Sequence, residues 1–260
     1  MPLYTADALI LRTYKLGEAD RIVVFLTGDR GKRRGVAKGA RRTRSKFAGG
    51  LEPFTRARLE YFEREHRDLV RLSYVDPVTS PLTSHNSDAL CYASYFAELV
   101  DEWALEGDPS ERLYRLGASV VEALAADASV ERVARYFEYW LLRLQGVYPS
   151  IVACQECGGT LEQSGAVIER QTGTLVCRPC ASGRDADLSL EALDFLRAAA
   201  TTPPERLDEV ALSPRAGQQL AAAHRVLIAT HLDKELKSAR VLKEIGMSTD
   251  AAVLSEPRTR

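Results

Sequence analysis

No stretch of this sequence approaches the run of about 18 apolar residues that crosses a bilayer, so no membrane-spanning helix and no membrane partner are expected. The opening MPLYTADALILRTYK lacks the layout of a cleaved signal, because Asp7 and Arg12 bracket a very short apolar core. A cytoplasmic protein is expected. Cysteine is scarce, at 5 residues in 260. Thiols stay reduced in the cytosol, so these five read as metal ligands or core fillers rather than disulfides. A phosphate-binding GxxxxGK[ST] loop is missing, and Gly28, Gly31, Gly35 and Gly39 read as turn residues among cations. The four histidines do not cluster. His224 and His231 share a helical stripe with Leu220 and Leu227, but seven residues of helix separate them by about 10 Å. They are expected to be half-buried face residues. No nucleophile comes with an evident base. Glu98, Asp101, Glu102 and Glu106 have the chemistry for Mg²⁺, yet acids on a wet helix face are far commoner. Catalytic residues: none. The chain reads as a non-enzyme.

Acid is also nearly absent from one segment. The stretch GVAKGARRTRSKFAGGLEPF, residues 35–54, holds Lys38, Arg41, Arg42, Arg44 and Lys46 and the single acid Glu52. Like charges repel, so such a run calls for an anionic partner. The imbalance extends further. Residues 1–80 carry 17 lysines and arginines against 10 acids, a net of +7, and with a chain total of −1 the remainder carries −8.

Residues 1–80 alternate short β-rich segments with turn signals: TADALILRTY, RIVVFLT, GDRG, RGVAKG, RARLEYF and HRDLVRLSYV. About five short strands point to a small barrel of the OB kind, and an SH3-like barrel has much the same pattern. Residues 81–149 plus 184–247 read as a helical domain. Ala89, Tyr92, Ala93, Phe96, Ala97, Val100 and Trp103 recur at helical spacing. Asp108 and Pro109 are expected to open a second helix, Val130 to Leu144 forms a third, and Ser213-Pro214 opens a long one. Residues 248–260 are polar and read as a disordered tail. The fold class is therefore α+β and multidomain: an N-terminal OB-fold β-barrel, an α-helical bundle and an inserted zinc-ribbon-like module.

That insert spans 150–183. Cys154-Gln-Glu-Cys157 and Cys177-Arg-Pro-Cys180 are two CxxC knuckles, each aiming two sulfurs at one spot. Together Cys154, Cys157, Cys177 and Cys180 supply a thiolate tetrahedron for structural Zn²⁺, with no open position for water. Between them, VIERQTGTLVC reads as a β-hairpin around Thr172-Gly173. The redox alternative needs a thioredoxin-like βαβ unit, which the sequence does not show. Cys91 reads as core.

A basic groove with aromatic platforms is how OB-folds hold single strands. The expected DNA contacts are Lys38, Arg41, Arg42, Arg44 and Lys46, with Arg33, Arg34 and Arg56 flanking. Phe47 is the expected base-stacking aromatic. Contacts to phosphates carry no sequence information, so binding should be non-specific and salt-sensitive.

GEADRIVVFLTGDRGKRRGVAKGARRTRSKFAGGLEPF resembles the start of the bacterial recombination mediator family RecO. The family's Glu-x-Asp-Arg-Ile, Thr-x-x-x-Gly, Ala-Lys-Gly-Ala-Arg and Leu-x-Pro-Phe motifs stand at 18–22, 27–31, 37–41 and 51–54. RYFEYWLLRLQGVYPSIVACQECG resembles the family's helix into the zinc module, and HLDKELKSARVL its closing helix. The resemblance implies binding of single- and double-stranded DNA, annealing of complementary strands, and recombinase loading with the partner RecR on DNA coated by single-stranded DNA-binding protein. It further implies the acidic, apolar C-terminal tail of that coating protein as a ligand, and a place at the nucleoid. Three rivals share features with this reading: a zinc-ribbon RNA-binding or transcription-associated factor without annealing activity, a nucleic-acid modifying enzyme, and an adaptor that meets only proteins.

Overall fold

The structure, a computed structural model, describes residues 2–63, 68–162, 165–183, 186–232, 234 and 236–244. The tail expected from 248 onward lies outside the described residues.

Five strands close a barrel: β1 (Leu3–Leu16), β2 (Asp20–Thr27), β3 (Gly31–Ala37), β4 (Arg56–Phe62) and β5 (Leu69–Thr79), in the order β1-β2-β3-β5-β4. β3 and β5 run parallel, and the other neighbours run antiparallel. This is the OB-fold, and the parallel β3–β5 pair sets aside the SH3-like alternative. β1 is long enough to pair twice, with β4 through its first half and β2 through its second. A register shift between Ile10 and Arg12 bends it between the two. Period-two alternation sorts the side chains. Ile10, Val23, Phe25, Ala37, Leu59 and Tyr61 fill the barrel. Leu9, Leu11, Val24 and Leu26 point outward and join the core of the helices.

Those helices are α1 (Asp88–Trp103), α2 (Glu111–Ala125), α3 (Val130–Leu144), α4 (Leu190–Ala199) and α5 (Pro214–His231). The Ser213 hydroxyl caps α5 by accepting from the Ala216 amide at 3.3 Å, as the Ser-Pro signal predicts. The start of α2 differs from expectation. Asp108 does not cap it; Ser110 precedes it without a side-chain capping bond. Residues 105–110 are bound to the barrel instead. The Lys32 amide donates to Leu105 O, Gly107 N to Lys32 O, and Ser110 N to Gly28 O, at 3.3, 3.0 and 3.0 Å. A Cβ on Gly31 would lie 1.9 Å from the Asp108 carbonyl oxygen, so only glycine permits this approach. Gly117 does the same for α2, where a Cβ would lie 2.3 Å from Leu9.

A second sheet, β7-β6-β8, is built from β6 (Ala166–Ile168), β7 (Leu175–Val176) and β8 (Ala186–Leu188). β6 and β7 are the hairpin expected around Gly173, which sits at φ +70°. β8 pairs with β6 just before α4 begins, so the sheet reaches past the cysteine insert into the helical half.

Inside the helical core lies a polar chain that sequence did not indicate. His224 is 0% exposed, whereas a half-buried position was expected. Its Nδ1–H donates to Glu138 Oε2 at 2.8 Å, and its Nε2 accepts from the Tyr148 hydroxyl at 3.0 Å. Tyr95 donates to Glu138 Oε1 at 3.0 Å, and the Arg135 guanidinium lies 3.3 Å from Oε2. Burial opposes ionisation of Glu138, yet Arg135, His224 and Tyr95 hold its pKa below the ordinary value. Burial pushes the His224 pKa down, against the pull of Glu138. His231 is exposed, and its Nδ1–H donates to Leu227 O at 2.9 Å.

Candidate nucleic-acid interface and metal centre

The eight expected DNA-contacting cations separate into two sets. Arg33, Arg34 and Arg56 lie on strands, and each has a carboxylate partner. Arg33 pairs with Glu63, Arg34 with Glu106 at 2.5 Å, and Arg56 with Glu122. Two of those acids come from the helical half. The pattern continues along the seam between barrel and helices, where Arg12 meets Asp101 at 2.8 Å and Lys32 meets it at 3.3 Å. Lys234 lies 2.6 Å from Glu102. Glu98 accepts from the amides of Lys237 and Ser238 at 3.1 and 2.8 Å. The four acids weighed for Mg²⁺ are thus occupied as partners of cations and amides. This seam buries Val24 and Leu26 on the outer face of β2.

Lys38, Arg41, Arg42, Arg44 and Lys46 lie on the β3–β4 loop and are exposed. None has a carboxylate ion-pair partner among the described residues. Arg41 Nη1 donates to the carbonyls of Gly17 and Glu18 at 3.0 and 2.8 Å, and its amide to Ala19 O at 2.9 Å. Lys46 Nζ donates to Ser73 O at 2.5 Å. These contacts neutralise no charge.

The loop is pinned along its length. Asp20 Oδ1 accepts from the Gly39 amide at 2.8 Å, tying the loop's start to the β1–β2 turn. Phe47 and Leu51 are buried inside the barrel. Phe54 stacks on Phe96 and Phe137 in the helical core, with ring centroids 5.6 and 5.9 Å away. Its backbone sits at φ +62°, a strained conformation for phenylalanine that this packing holds in place. The expectation that Phe47 stacks on bases is corrected here. Phe47 is 2% exposed, and pulling it out would forfeit about 1.5–3 kcal/mol of burial. Lys46 lies 5.1 Å from its ring centroid, so Phe47 supports the cation from beneath.

The four insert cysteines converge. One ligand atom from each of Cys154, Cys157, Cys177 and Cys180 lies within 4.8 Å of all the others. The Cys157 and Cys177 sulfurs are 3.8 Å apart, matching the roughly 3.8 Å edge of a tetrahedron with ~2.3 Å zinc–sulfur bonds. Gly158 turns the first knuckle at φ +71°, and its amide donates to Cys154 O at 2.9 Å. The second knuckle begins as β7 ends and closes through Cys180 N donating to Cys177 O at 3.0 Å. Burial opposes ionisation of Cys154, but the amides of Cys157, Cys177 and Glu156 outweigh it and lower the pKa to about 6. The cluster can hold a metal ion. Cys91 is half-buried on α1, away from this cluster.

An OB-fold barrel with a pinned cationic loop, joined to helices and a tetracysteine module, defines the class of protein. The descriptions "Recombination protein O N terminal" and "Recombination protein O C terminal" match residues 1–81 and 84–240. This chain belongs to the recombination protein O family. Among its relatives, the DNA repair protein RecO of Geobacter metallireducens is 36% identical over 244 residues, covering 92% of this chain and 96% of that protein. RecO of Koribacter versatilis is 31% identical over 247 residues, covering 94% and 99%. RecO of Pelotomaculum thermopropionicum is 30% identical over 251, covering 95% and 96%. No helix among the described residues is long and apolar enough to cross a membrane.

Proposed function

We propose that this protein is a recombination mediator that binds DNA through phosphates and anneals complementary strands. The observation that carries this reading is the β3–β4 loop, whose five cations lack carboxylate partners among the described residues and which is anchored on the barrel. Two nucleic-acid strands repel each other, and that repulsion is the barrier to pairing. Lys38, Arg41, Arg42, Arg44 and Lys46 lower it by screening phosphates, while base edges stay free to pair. Arg33, Arg34 and Arg56 serve as scaffold in this reading, joining the barrel to its own acids and to the helices. No catalytic residue and no nucleotide hydrolysis are required.

Family membership supports the wider role. With RecR, the protein helps load recombinase onto DNA coated by single-stranded DNA-binding protein, whose acidic, apolar tail is a further ligand. It works in the cytoplasm, at the nucleoid. Zn²⁺ fits the four sulfurs and, when bound, cross-links the two knuckles. Replacing Cys157 by Ser is expected to lower both metal content and melting temperature; unchanged values would refute the ligand assignment.

The direct test is annealing of two complementary oligonucleotides without nucleotide, across a salt series. Five phosphates neutralised give a log–log affinity slope of about −3.5 for a single strand. A slope near zero would sink the phosphate reading. RNA binding at least as tight as DNA binding, with no annealing, would favour the RNA-binding alternative.

A further inference from the structure

Among the described residues, two aromatic side chains stand exposed: Tyr14 at 44% and Tyr74 at 46%. Both are on the barrel, one beside each end of the cationic loop. Tyr14 lies on β1 directly across from Ile22 of β2, next to the Gly17–Ala19 turn that Arg41 clasps. Tyr74 follows Ser73, whose carbonyl accepts the Lys46 ammonium. The register of β5 against β4 shifts between Glu60 and Tyr61, where Tyr74 faces Glu60 and Leu72 faces Tyr61. The extra residue there lets Tyr74 face outward while Leu72 and Val75 stay buried.

Part of the barrel's outer side is closed to bases. Val24 and Leu26 of β2 are buried under the helices, and Lys32 and Arg34 of β3 are paired with Asp101 and Glu106. The surface around the loop is open, with all five of its cations exposed. A tyrosine held upright at low entropy offers a flat face to any base. Arg12 fixes Tyr14 in this way, donating to its hydroxyl at 3.0 Å.

Building on the phosphate-binding reading above, we propose that Tyr14 and Tyr74 are stacking platforms for unpaired bases at the two ends of the cationic loop. The loop cations grip phosphates of single strands and duplexes alike. The tyrosines grip only bases that are not already stacked in a duplex. The interface therefore has a charge component common to all DNA and an aromatic component reserved for single strands, lost as the strands pair. Release of the annealed product follows from that loss.

The experiment compares oligothymidylate with a duplex of equal length, using the full chain and its Tyr14→Ala, Tyr74→Ala, Tyr14→Phe and Tyr74→Phe variants. Each alanine variant is expected to lose about 5- to 150-fold affinity for oligothymidylate, the range for one base–aromatic stack. Duplex affinity and salt slope should stay as in the unaltered chain; Tyr74→Phe should bind like it, and Tyr14→Phe, which loses only the Arg12 hydrogen bond, should bind far better than Tyr14→Ala. Equal losses on single strand and duplex, no loss on either, or failure of phenylalanine to restore binding would overturn the proposal. Normal salt-dependent binding by alanine variants would overturn the tyrosine platforms alone. Absence of DNA binding by the unaltered chain would overturn the phosphate reading together with them.

Discussion

The helical half and the β3–β4 loop treat charge in opposite ways. The helical half sets several of its charges beside opposite ones: Arg135 meets Glu138 in the core, where His224 also hydrogen-bonds it, and Asp101, Glu102 and Glu106 meet the barrel cations Arg12, Lys32 and Arg34 at the seam. The loop holds five cations, and its anchors are backbone carbonyls, buried aromatic rings and the Asp20 carboxylate, which takes a backbone amide rather than a cation. A cation already paired has part of its interaction energy committed inside the protein. An unpaired one on a fixed backbone has it available for an outside anion. The difference therefore separates charge that builds the fold from charge that can bind.

The largest test of this contrast lies in the core. Glu138→Ala leaves the Arg135 charge buried without a partner and should cost about 3–5 kcal/mol of stability, read by chemical denaturation. A loss below 1 kcal/mol would mean that water reaches the network. Next comes the loop. Reversing Arg42 and Arg44 to Glu should reduce DNA affinity more than tenfold, for every sequence alike. It should flatten the single-strand salt slope by at least about 1.4, and leave the melting temperature nearly unchanged. A sequence-selective loss would contradict backbone binding.

A smaller effect is expected from pH. Burial holds the folded His224 pKa below its unfolded value near 6.5, so the unfolded chain binds the proton more readily. Stability is fully present above about pH 6.5 and is lost as pH falls through the folded value, with Glu138 adding a second loss further into acid. Melting curves from pH 8 to 5 should show the decline, and His224→Asn should blunt it. The smallest change belongs to the seam. Arg34 and Glu106 are about half exposed, so Arg34→Gln should cost about 0–1 kcal/mol and barely move the salt slope. A slope change as large as that of a loop cation would dissolve the distinction between paired and free charge.

Much of the fold was legible because its signals are local. Alternation in RARLEYF encodes a strand, period-3.6 apolar residues encode α1 and α3, and Ser213-Pro214 encodes the start of α5. The tetracysteine cluster was legible for the same reason, since a CxxC turn positions its own two sulfurs. Asp108 misled because its capping signal is local, while the contact that overrides it, Gly31 against the 105–110 segment, is not. Phe47 misled because adjacency to Lys46 says nothing about which way a ring points.

The sequence by itself determined that a cationic loop exists, that strands and helices flank it, and that four cysteines can meet. Only the tertiary structure decided which cations remain unpaired and which aromatics face water. Arg56 finds Glu122 across 66 positions and His224 finds Glu138 across 86. Electrostatic pairing and burial depend on distance in space, and composition along the chain does not contain that distance until the fold creates it.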